Sequence, residues 1–145
     1  SYSDVMDRRE ITMEHETSLG IIKPDAVERN LIGSIIKIIE DNNIKVKQLK
    51  MLELTTSMAE DFYSAHKGKI FYDKLISYMT SGPVVLMVLE GEDVVMRYRE
   101  LMGKTNPEEA ANGTIRKLFA KDTTFNSVHG SDSIENALAE IKLFF

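Results

Sequence analysis

Hydrophobic and polar residues follow one another along this chain in spacings that predict secondary structure. Residues 17–22 form an apolar run that stops at Lys23-Pro24-Asp25, which predicts a buried strand ended by a proline turn. Residues 83–91 are the most continuous apolar run, bounded by Gly-Pro and Gly, and predict the central strand of a sheet. In residues 44–54, apolar positions alternate with lysines except for one slip, which predicts a half-exposed strand with a bulge.

Other stretches have the spacing of helices. Residues 31–39 keep one broad apolar face before Asp41-Asn42-Asn43, which predicts a helix with a polar stop. Residues 56–66 and 72–80 also have helical spacing, and the Lys-Gly-Lys between them predicts a helical hairpin. Residues 92–102 are amphipathic again.

The last third of the chain is less regular. Residues 103–125 contain scattered glycines, one proline and short apolar pieces, which predicts a long loop with one short helix. A short strand over residues 125–129 and a helix over residues 132–144 follow, with Asp132 as the N-cap and Glu135 completing a capping-box-like pair. Strands and helices in this order predict an α/β or α+β fold, and the pattern alone leaves the strand order open.

Composition limits the classes of function. A chain of 145 residues, 43% hydrophobic and 28% charged, has the size of one domain. The net charge of −5 argues against a general nucleic-acid or membrane-surface binder. No cysteine is present and the three histidines lie far apart, which argues against disulfides or a thiolate–histidine zinc site and fits a reducing, cytoplasmic location. Residues 1–16 are polar and predict a flexible or artificially added arm, which leaves residues 17–145 as the domain.

One apparent phosphate-binding motif fails on inspection. Gly103-Lys104-Thr105 resembles the end of a P-loop, but Tyr98 stands where that motif requires a glycine. A nucleotide would therefore be held by discrete side chains. The candidates near turns and loop edges are Lys23, Arg99, Thr105 and Arg116.

His129 is the candidate for covalent chemistry. It lies at a predicted strand end, before Gly130-Ser131-Asp132 and the start of a helix, and helix N-termini attract phosphoryl groups. An imidazole with a pKa of about 6.5 is largely neutral in the cytoplasm and can attack phosphorus. Glu140, on the following helix, could orient the second ring nitrogen. From the residues alone, a structural, hydrogen-bonding role for His129 is the favoured alternative, as packing is for Tyr63 and Phe71.

Four stretches resemble one family in order and spacing. They are NSVHGSDS at 126–133, IIKPDAVERNLIG at 21–33, SGPVVLMVLEG at 81–91 and TNPEEAANGTIR at 105–116. Together they resemble the sequence blocks of nucleoside diphosphate kinase, and the resemblance extends over about residues 17–145. It implies an α+β fold, an α/β sandwich with a ferredoxin-like βαββαβ core, a four-stranded antiparallel sheet with helices on one face, and an added helical hairpin.

The resemblance also implies a ping-pong reaction that passes a phosphoryl group from a nucleoside triphosphate, typically ATP, to a diphosphate. It implies that His129 is phosphorylated, that Glu140 positions it and that Ser131 supports the carboxylate. Lys23 is implied in catalysis and binding alike. The nucleotide-binding residues it implies are Lys23, Tyr63, Phe71, Arg99, Thr105, Arg116 and Asn126, with the arginines and Thr105 at the phosphates, Lys23 and Asn126 at the ribose 3′-hydroxyl and Phe71 stacked on the base.

For cofactor and assembly, the resemblance implies Mg²⁺ carried by the nucleotide's phosphates, without metal-ligating residues on the protein. It implies a homo-oligomer, with a hexamer favoured over a tetramer and residues 103–125 in the hexamer contacts. Two alternatives stay open. One is a non-catalytic nucleotide-binding or scaffold protein of the same fold, and the other is a phosphocarrier domain, which would leave Phe71 and Asn126 without a role.

Overall fold

The structure, a computed structural model, describes residues 16–145. The predicted N-terminal arm lies outside the described residues except for its last member, Glu16. The Glu16 backbone carbonyl accepts a hydrogen bond from the Gly91 N–H at 3.1 Å, and its carboxylate accepts one from the Val95 N–H at 3.1 Å. Glu16 is therefore joined to the folded part of the chain.

Within the described residues, two α-helices lie between each strand and the next. The strands are β1 (Thr17–Ile22), β2 (Lys45–Leu52), β3 (Val84–Glu90) and β4 (Val128–Gly130). The helices are α1 (Pro24–Glu28), α2 (Ile32–Asp41), α3 (Thr56–Phe62), α4 (Tyr72–Met79), α5 (Val94–Met102), α6 (Ile115–Phe119) and α7 (Ile134–Phe144), with a 3₁₀ turn at Ser64–His66. None of these helices is long and apolar enough to span a bilayer.

The four strands form one sheet in the order β2-β3-β1-β4, with every neighbouring pair antiparallel. With α2 and α5 as the connections, β1-α2-β2-β3-α5-β4 is the predicted ferredoxin-like arrangement, so the α+β fold is confirmed. β3 lies inside the sheet, as its apolar run predicts. The slip in the β2 pattern corresponds to an irregular register between Val46 and Gln48, which confirms the predicted bulge.

Apolar side chains cover both faces of the sheet. On one face, Ile35 of α2 and Tyr98 of α5 pack with Met87 of β3. On the other face, Met79 of the helical hairpin and Phe144 of α7 pack with sheet residues. The short strand β4 pairs with β1 and lies against α5. Helix α7 follows β4 in the chain.

Two local predictions were wrong. The turn expected at Lys23-Pro24-Asp25 is the start of helix α1, because a proline at the first helical position lacks only an N–H that would be unsatisfied there. The first helix of the hairpin was expected to continue to residue 66, but it ends at Phe62 and a 3₁₀ turn follows. The first difference is a whole helix of five residues, and the second lies at the end of a helix, where local patterns are weakest.

The predicted N-cap of the last helix was also wrong by one residue. Ser133, not Asp132, is the cap, and its side chain accepts a hydrogen bond from the Asn136 N–H at 3.0 Å. The Asp132 carboxylate accepts instead from the Asn136 side-chain amide. Serine and aspartate cap helices about equally well, so the sequence could not separate these adjacent residues.

Candidate active site

A cavity of about 980 Å³ opens beside β4 and collects most of the predicted site residues. Among its lining residues are Lys23, Tyr63, Phe71, Thr105, Arg116, Asn126, His129 and Glu140. Ser131 lies behind this wall, and Arg99 lines a neighbouring cavity that shares Thr105 and Arg116 with the first. Segments distant in the sequence therefore meet at one site.

His129 was predicted at the end of a strand over residues 125–129, but it lies in the middle of β4, Val128–Gly130. It is fixed through one ring nitrogen. Its Nε2 is 3.0 Å from Glu140 Oε1, and the two side chains are 21% and 20% exposed. The Ser131 hydroxyl donates to the same carboxylate oxygen at 2.7 Å and accepts from the Leu19 N–H at 3.0 Å. The sheet thus holds the serine, the serine holds the carboxylate, and the carboxylate holds the imidazole.

The surroundings of His129 keep its ring neutral. Burial lowers the pKa of His129 below its ordinary value, and the hydrogen bond and negative charge of Glu140 act in the opposite direction. The positive charges of Lys23 and Arg116 add to the lowering. Because burial dominates, His129 has an unprotonated ring nitrogen at neutral pH, which nucleophilic attack requires.

Phe62 is a neighbour of His129 that the sequence reasoning missed. Its ring meets the imidazole edge-on, with 4.9 Å between the ring centroids and an angle of 79° between the planes. Such contacts limit ring rotation and keep water from one side of the imidazole. The one signal in the sequence was the adjacency of Phe62 to the predicted site residue Tyr63.

Lys23 and Asn126 form a buried polar pair on the cavity wall. The Lys23 Nζ donates to Asn126 Oδ1 at 2.8 Å, across 103 positions of sequence. The Lys23 backbone N–H donates to the Ser127 carbonyl at 2.9 Å. Burial first, and then the charge of Arg116, lowers the pKa of Lys23 to about 8, against a raising effect of Asp25. The ammonium group therefore loses its proton at a much lower pH than an ordinary lysine does.

Arg116, near the start of α6, is held by backbone carbonyls. Its Nη1 donates to the Gly103 carbonyl at 2.9 Å and its Nη2 to the Val128 carbonyl at 3.0 Å. Gly103 has a φ of +84°, and a Cβ there would lie 2.5 Å from the Thr114 side chain. Only glycine therefore lets this turn present its carbonyl to the guanidinium, which keeps a fixed positive charge at the wall between the two cavities.

Aromatic side chains form the outer end of the first cavity. The Phe71 side chain is 49% exposed, its ring lies 5.5 Å from that of His66, and Lys69 Nζ lies 5.8 Å from its centroid. Tyr63 is buried, and its hydroxyl has no hydrogen-bond partner among the described residues. Burial raises the pKa of Tyr63, so the hydroxyl stays a neutral donor. His66 was not predicted for the site, and no sequence signal separated it from a surface histidine.

The arrangement combines a carboxylate-supported neutral imidazole, fixed cations and an exposed aromatic ring. Cations beside a nucleophile suit the transfer of a phosphoryl group, whose transition state spreads negative charge over its oxygens. Within residues 16–145, no group of three histidine or acidic residues is placed to hold a metal ion.

Comparison with known proteins gives a consistent result. The family model described as nucleoside diphosphate kinase matches residues 16–145. A nucleoside diphosphate kinase of Lawsonia intracellularis is 53% identical over 133 residues, which cover 92% of this chain and 95% of the relative. One of Desulfatibacillum aliphaticivorans is 56% identical over 130 residues, which cover 90% of this chain and 94% of the relative.

Solved structures agree with the sequence matches. The nucleoside diphosphate kinase of Aquifex aeolicus superposes with a TM-score of 0.87 at 42% identity and covers 90% of this chain and 94% of its own. A halophilic nucleoside diphosphate kinase from Halobacterium salinarum, in complex with CDP, gives a TM-score of 0.87 at 40% identity and covers 90% of this chain and 88% of its own.

Proposed function

The chain belongs to the nucleoside diphosphate kinase family, and we propose that it transfers the terminal phosphoryl group of a nucleoside triphosphate through His129. The hydrogen bond between His129 Nε2 and Glu140, 3.0 Å long, carries this proposal. Because Nε2 is engaged by the carboxylate, Nδ1 is the ring nitrogen that attacks. A neutral imidazole needs no separate base for this step.

In the first half-reaction, the Nδ1 lone pair forms a bond to the γ-phosphorus. The bond from that phosphorus to the bridging oxygen breaks, and the diphosphate leaves with the electron pair. The ring gains positive charge as the bond forms, and the Glu140 carboxylate stabilises it through the Nε2–H. Ser131 keeps the carboxylate in place by its 2.7 Å hydrogen bond.

In the second half-reaction, a terminal phosphate oxygen of another nucleoside diphosphate attacks the phosphorus. The phosphorus–nitrogen bond breaks and its electron pair returns to His129. The neutral imidazole is regenerated and a new triphosphate leaves. The same positioning serves both directions, so the site needs one nucleotide-binding mode.

The nucleotide contacts that we propose are the ones that the family resemblance implies. Arg116, Thr105 and Arg99 bind the phosphates, where two arginines offset the charge that develops during transfer. Lys23 and Asn126 bind the ribose 3′-hydroxyl. Phe71, half-exposed at the outer end, stacks on the base, and Tyr63 supplies a hydroxyl on the cavity wall. Stacking is tolerant of base identity, so we propose broad use of bases.

Mg²⁺ enters with the nucleotide in this proposal. The cationic lining formed by Lys23 and Arg116 is unsuited to a protein-held metal ion but fits phosphates that already carry one. Carried by the nucleotide, Mg²⁺ would offset part of the negative charge of the phosphates. The protein contributes the arginines and the orientation of the phosphate chain.

Assembly and location are proposed on the resemblance. We propose a homo-oligomer, a hexamer rather than a tetramer, with residues 103–125 in the hexamer contacts. The exposure of Leu49 and Met51 on the sheet-edge strand β2, at 54% and 53%, supports association. Light scattering of the purified protein measures the mass directly. The absence of cysteine supports a cytoplasmic location.

Initial-rate kinetics test the proposed function. With donor and acceptor nucleotides varied, a ping-pong enzyme gives parallel double-reciprocal lines. His129→Ala should lose transfer, while nucleotide binding persists because the phosphate and base contacts remain. Intersecting lines, or activity retained in His129→Ala, would remove His129 as the carrier. Binding without any turnover of the unmodified protein would favour a non-catalytic nucleotide-binding protein.

A further inference from the structure

A buried carboxylate lies directly behind the Lys23–Asn126 pair. One carboxylate oxygen of Asp25, on α1, accepts a hydrogen bond from the Tyr78 hydroxyl. The other oxygen accepts one from the Ser127 hydroxyl at 3.2 Å. The Asp25 backbone N–H donates to the Tyr78 hydroxyl oxygen at 3.4 Å. Both oxygens of a buried charge are thus satisfied by neutral donors from other parts of the fold.

Ser127 has an unusual backbone conformation that this carboxylate helps to hold. Its φ is +74°, in the left-handed region that serine disfavours. Ser127 is fully buried, and its carbonyl accepts the Lys23 N–H at 2.9 Å. The hydroxyl and the carbonyl of one residue are therefore both anchored, one to Asp25 and the other to Lys23.

These anchors adjoin both members of the cavity-wall pair. Asp25 follows Lys23 by two residues, and Ser127 immediately follows Asn126. Tyr78 comes from the helical hairpin and ties the two segments to it. A change in the Ser127 backbone would turn the Asn126 amide, whose oxygen accepts from Lys23 at 2.8 Å.

We propose that Asp25, Tyr78 and Ser127 form a positioning cluster that sets the geometry of the Lys23–Asn126 pair and so the productive placement of the nucleotide's ribose. None of the three lines the cavity described above, so they act through other residues. The inference rests on the proposed function, because it assumes that Lys23 and Asn126 meet the ribose 3′-hydroxyl.

The Tyr78 hydroxyl can be removed without removing the ring. The ring packs in the apolar layer between the sheet and the hairpin and meets Phe125 edge-on at 4.8 Å. Tyr78→Phe keeps that packing and deletes one donor to Asp25. Tyr72→Phe, on the same helix, is the matched control, because it removes a tyrosine hydroxyl from the same apolar layer while the two side-chain donors to Asp25, Tyr78 and Ser127, stay in place. Ser127→Ala is the second variant and removes the other donor.

The experiment compares two acceptor nucleotides that differ in one hydroxyl. Each enzyme is offered 2′-deoxyguanosine diphosphate and 2′,3′-dideoxyguanosine diphosphate with ATP as donor. We expect Tyr78→Phe and Ser127→Ala to reduce kcat/KM about tenfold for the acceptor that has the 3′-hydroxyl. The value for the dideoxy acceptor should stay nearly unchanged, because Lys23 and Asn126, even when misplaced, have no 3′-hydroxyl to bind in it. Tyr72→Phe should change neither value. Crystals of Tyr78→Phe should show the Lys23 Nζ–Asn126 Oδ1 distance increased from 2.8 Å.

Other results would contradict the proposed role of the positioning cluster. An equal fall for both acceptors would mean that the hydroxyl matters for folding or general packing, and no fall for either would mean that it does not position the pair. Equal use of both acceptors by the wild-type enzyme would contradict the proposed ribose contact instead. In that case the distance between Lys23 Nζ and Asn126 Oδ1 in crystals of Tyr78→Phe tests the positioning role by itself. An unchanged distance would refute that role.

Discussion

At the scale of single residues, the chemistry depends on which groups carry charge near neutral pH. His129 is neutral because burial outweighs the nearby Glu140 carboxylate, and Lys23 has a pKa of about 8 because it is buried near Arg116. In the proposed mechanism, His129 must be unprotonated to attack and Lys23 must be protonated to hold the nucleotide. We therefore expect the highest activity at a pH between the pKa of His129 and the pKa of Lys23.

Glu140→Gln tests the charge of the supporting carboxylate. A glutamine keeps an oxygen that can accept from Nε2, but it removes the negative charge that raises the His129 pKa. We expect that pKa to fall further, because burial and the charges of Lys23 and Arg116, which lower it, remain in place without the opposing negative charge. The phosphorylation rate should drop about tenfold or more. Proton NMR titration of the His129 ring measures the pKa, and single-turnover kinetics measure the rate.

Ser131→Ala is the comparison for Glu140→Gln, since it loosens the carboxylate but keeps its charge. The His129 pKa should move less in Ser131→Ala than in Glu140→Gln. A His129 pKa that rises, or stays the same, in Glu140→Gln would show that the carboxylate does not act through its charge.

We expect Lys23 to set the alkaline side of the pH profile. As pH rises through about 8 the ammonium loses its proton, so kcat/KM should decline with an apparent pKa near that value. In Lys23→Arg the rate at neutral pH should be lower, because the guanidinium fork does not match the ammonium position, and this alkaline decline should disappear. A decline near pH 8 that persists in Lys23→Arg would assign it to another group.

At the scale of elements, the site depends on where β4 is placed. This strand carries His129, and α7, which follows it, carries Glu140. Gly130 lies against α5 so closely that an added Cβ would be 2.7 Å from Tyr98 Cδ2 and 2.7 Å from Met102 Cε. The close approach of β4 and α5 therefore fixes how deeply His129 lies in the cavity.

Gly130→Ala should push β4 away from α5. We expect a loss of about 1–3 kcal/mol in the free energy of unfolding, as in other overpacked cores, together with a lower phosphorylation rate. Gly33→Ala, on helix α2 with nothing within 4 Å of the added Cβ, is the control and should not destabilise. Urea unfolding measures both variants, and equal stability of the two would contradict the packing described here.

The same elements show which parts of the structure a sequence can predict. The apolar run of β3 and the face of α2 carry their own periodic signal, so both were predicted close to their observed bounds. Helix α1 gave no such signal, because five residues beginning with a proline are too short for a period to develop. The cap at Ser133 was missed for a local reason, since the neighbouring Asp132 is an equally good cap.

At the scale of the whole molecule, the site is made of contacts between distant segments. The Lys23–Asn126 hydrogen bond spans 103 positions and the Asp25–Ser127 hydrogen bond spans 102. Periodicity carries no information about such pairs. The family resemblance implied that Lys23 and Asn126 meet the ribose 3′-hydroxyl, but it gave no role to Asp25, Tyr78 or Ser127. The sheet order brings these segments together, and that order could not be predicted from the pattern alone.

The intact mass of the protein tests the phosphohistidine mechanism most directly. The protein is incubated briefly with Mg²⁺ and ATP, the nucleotide is removed and the mass is measured before and after GDP is added. We predict one added phosphoryl group that is labile in acid, stable in alkali, absent in His129→Ala and transferred to GDP to form GTP. An unmodified mass in a protein that still binds nucleotide would contradict the phosphohistidine mechanism.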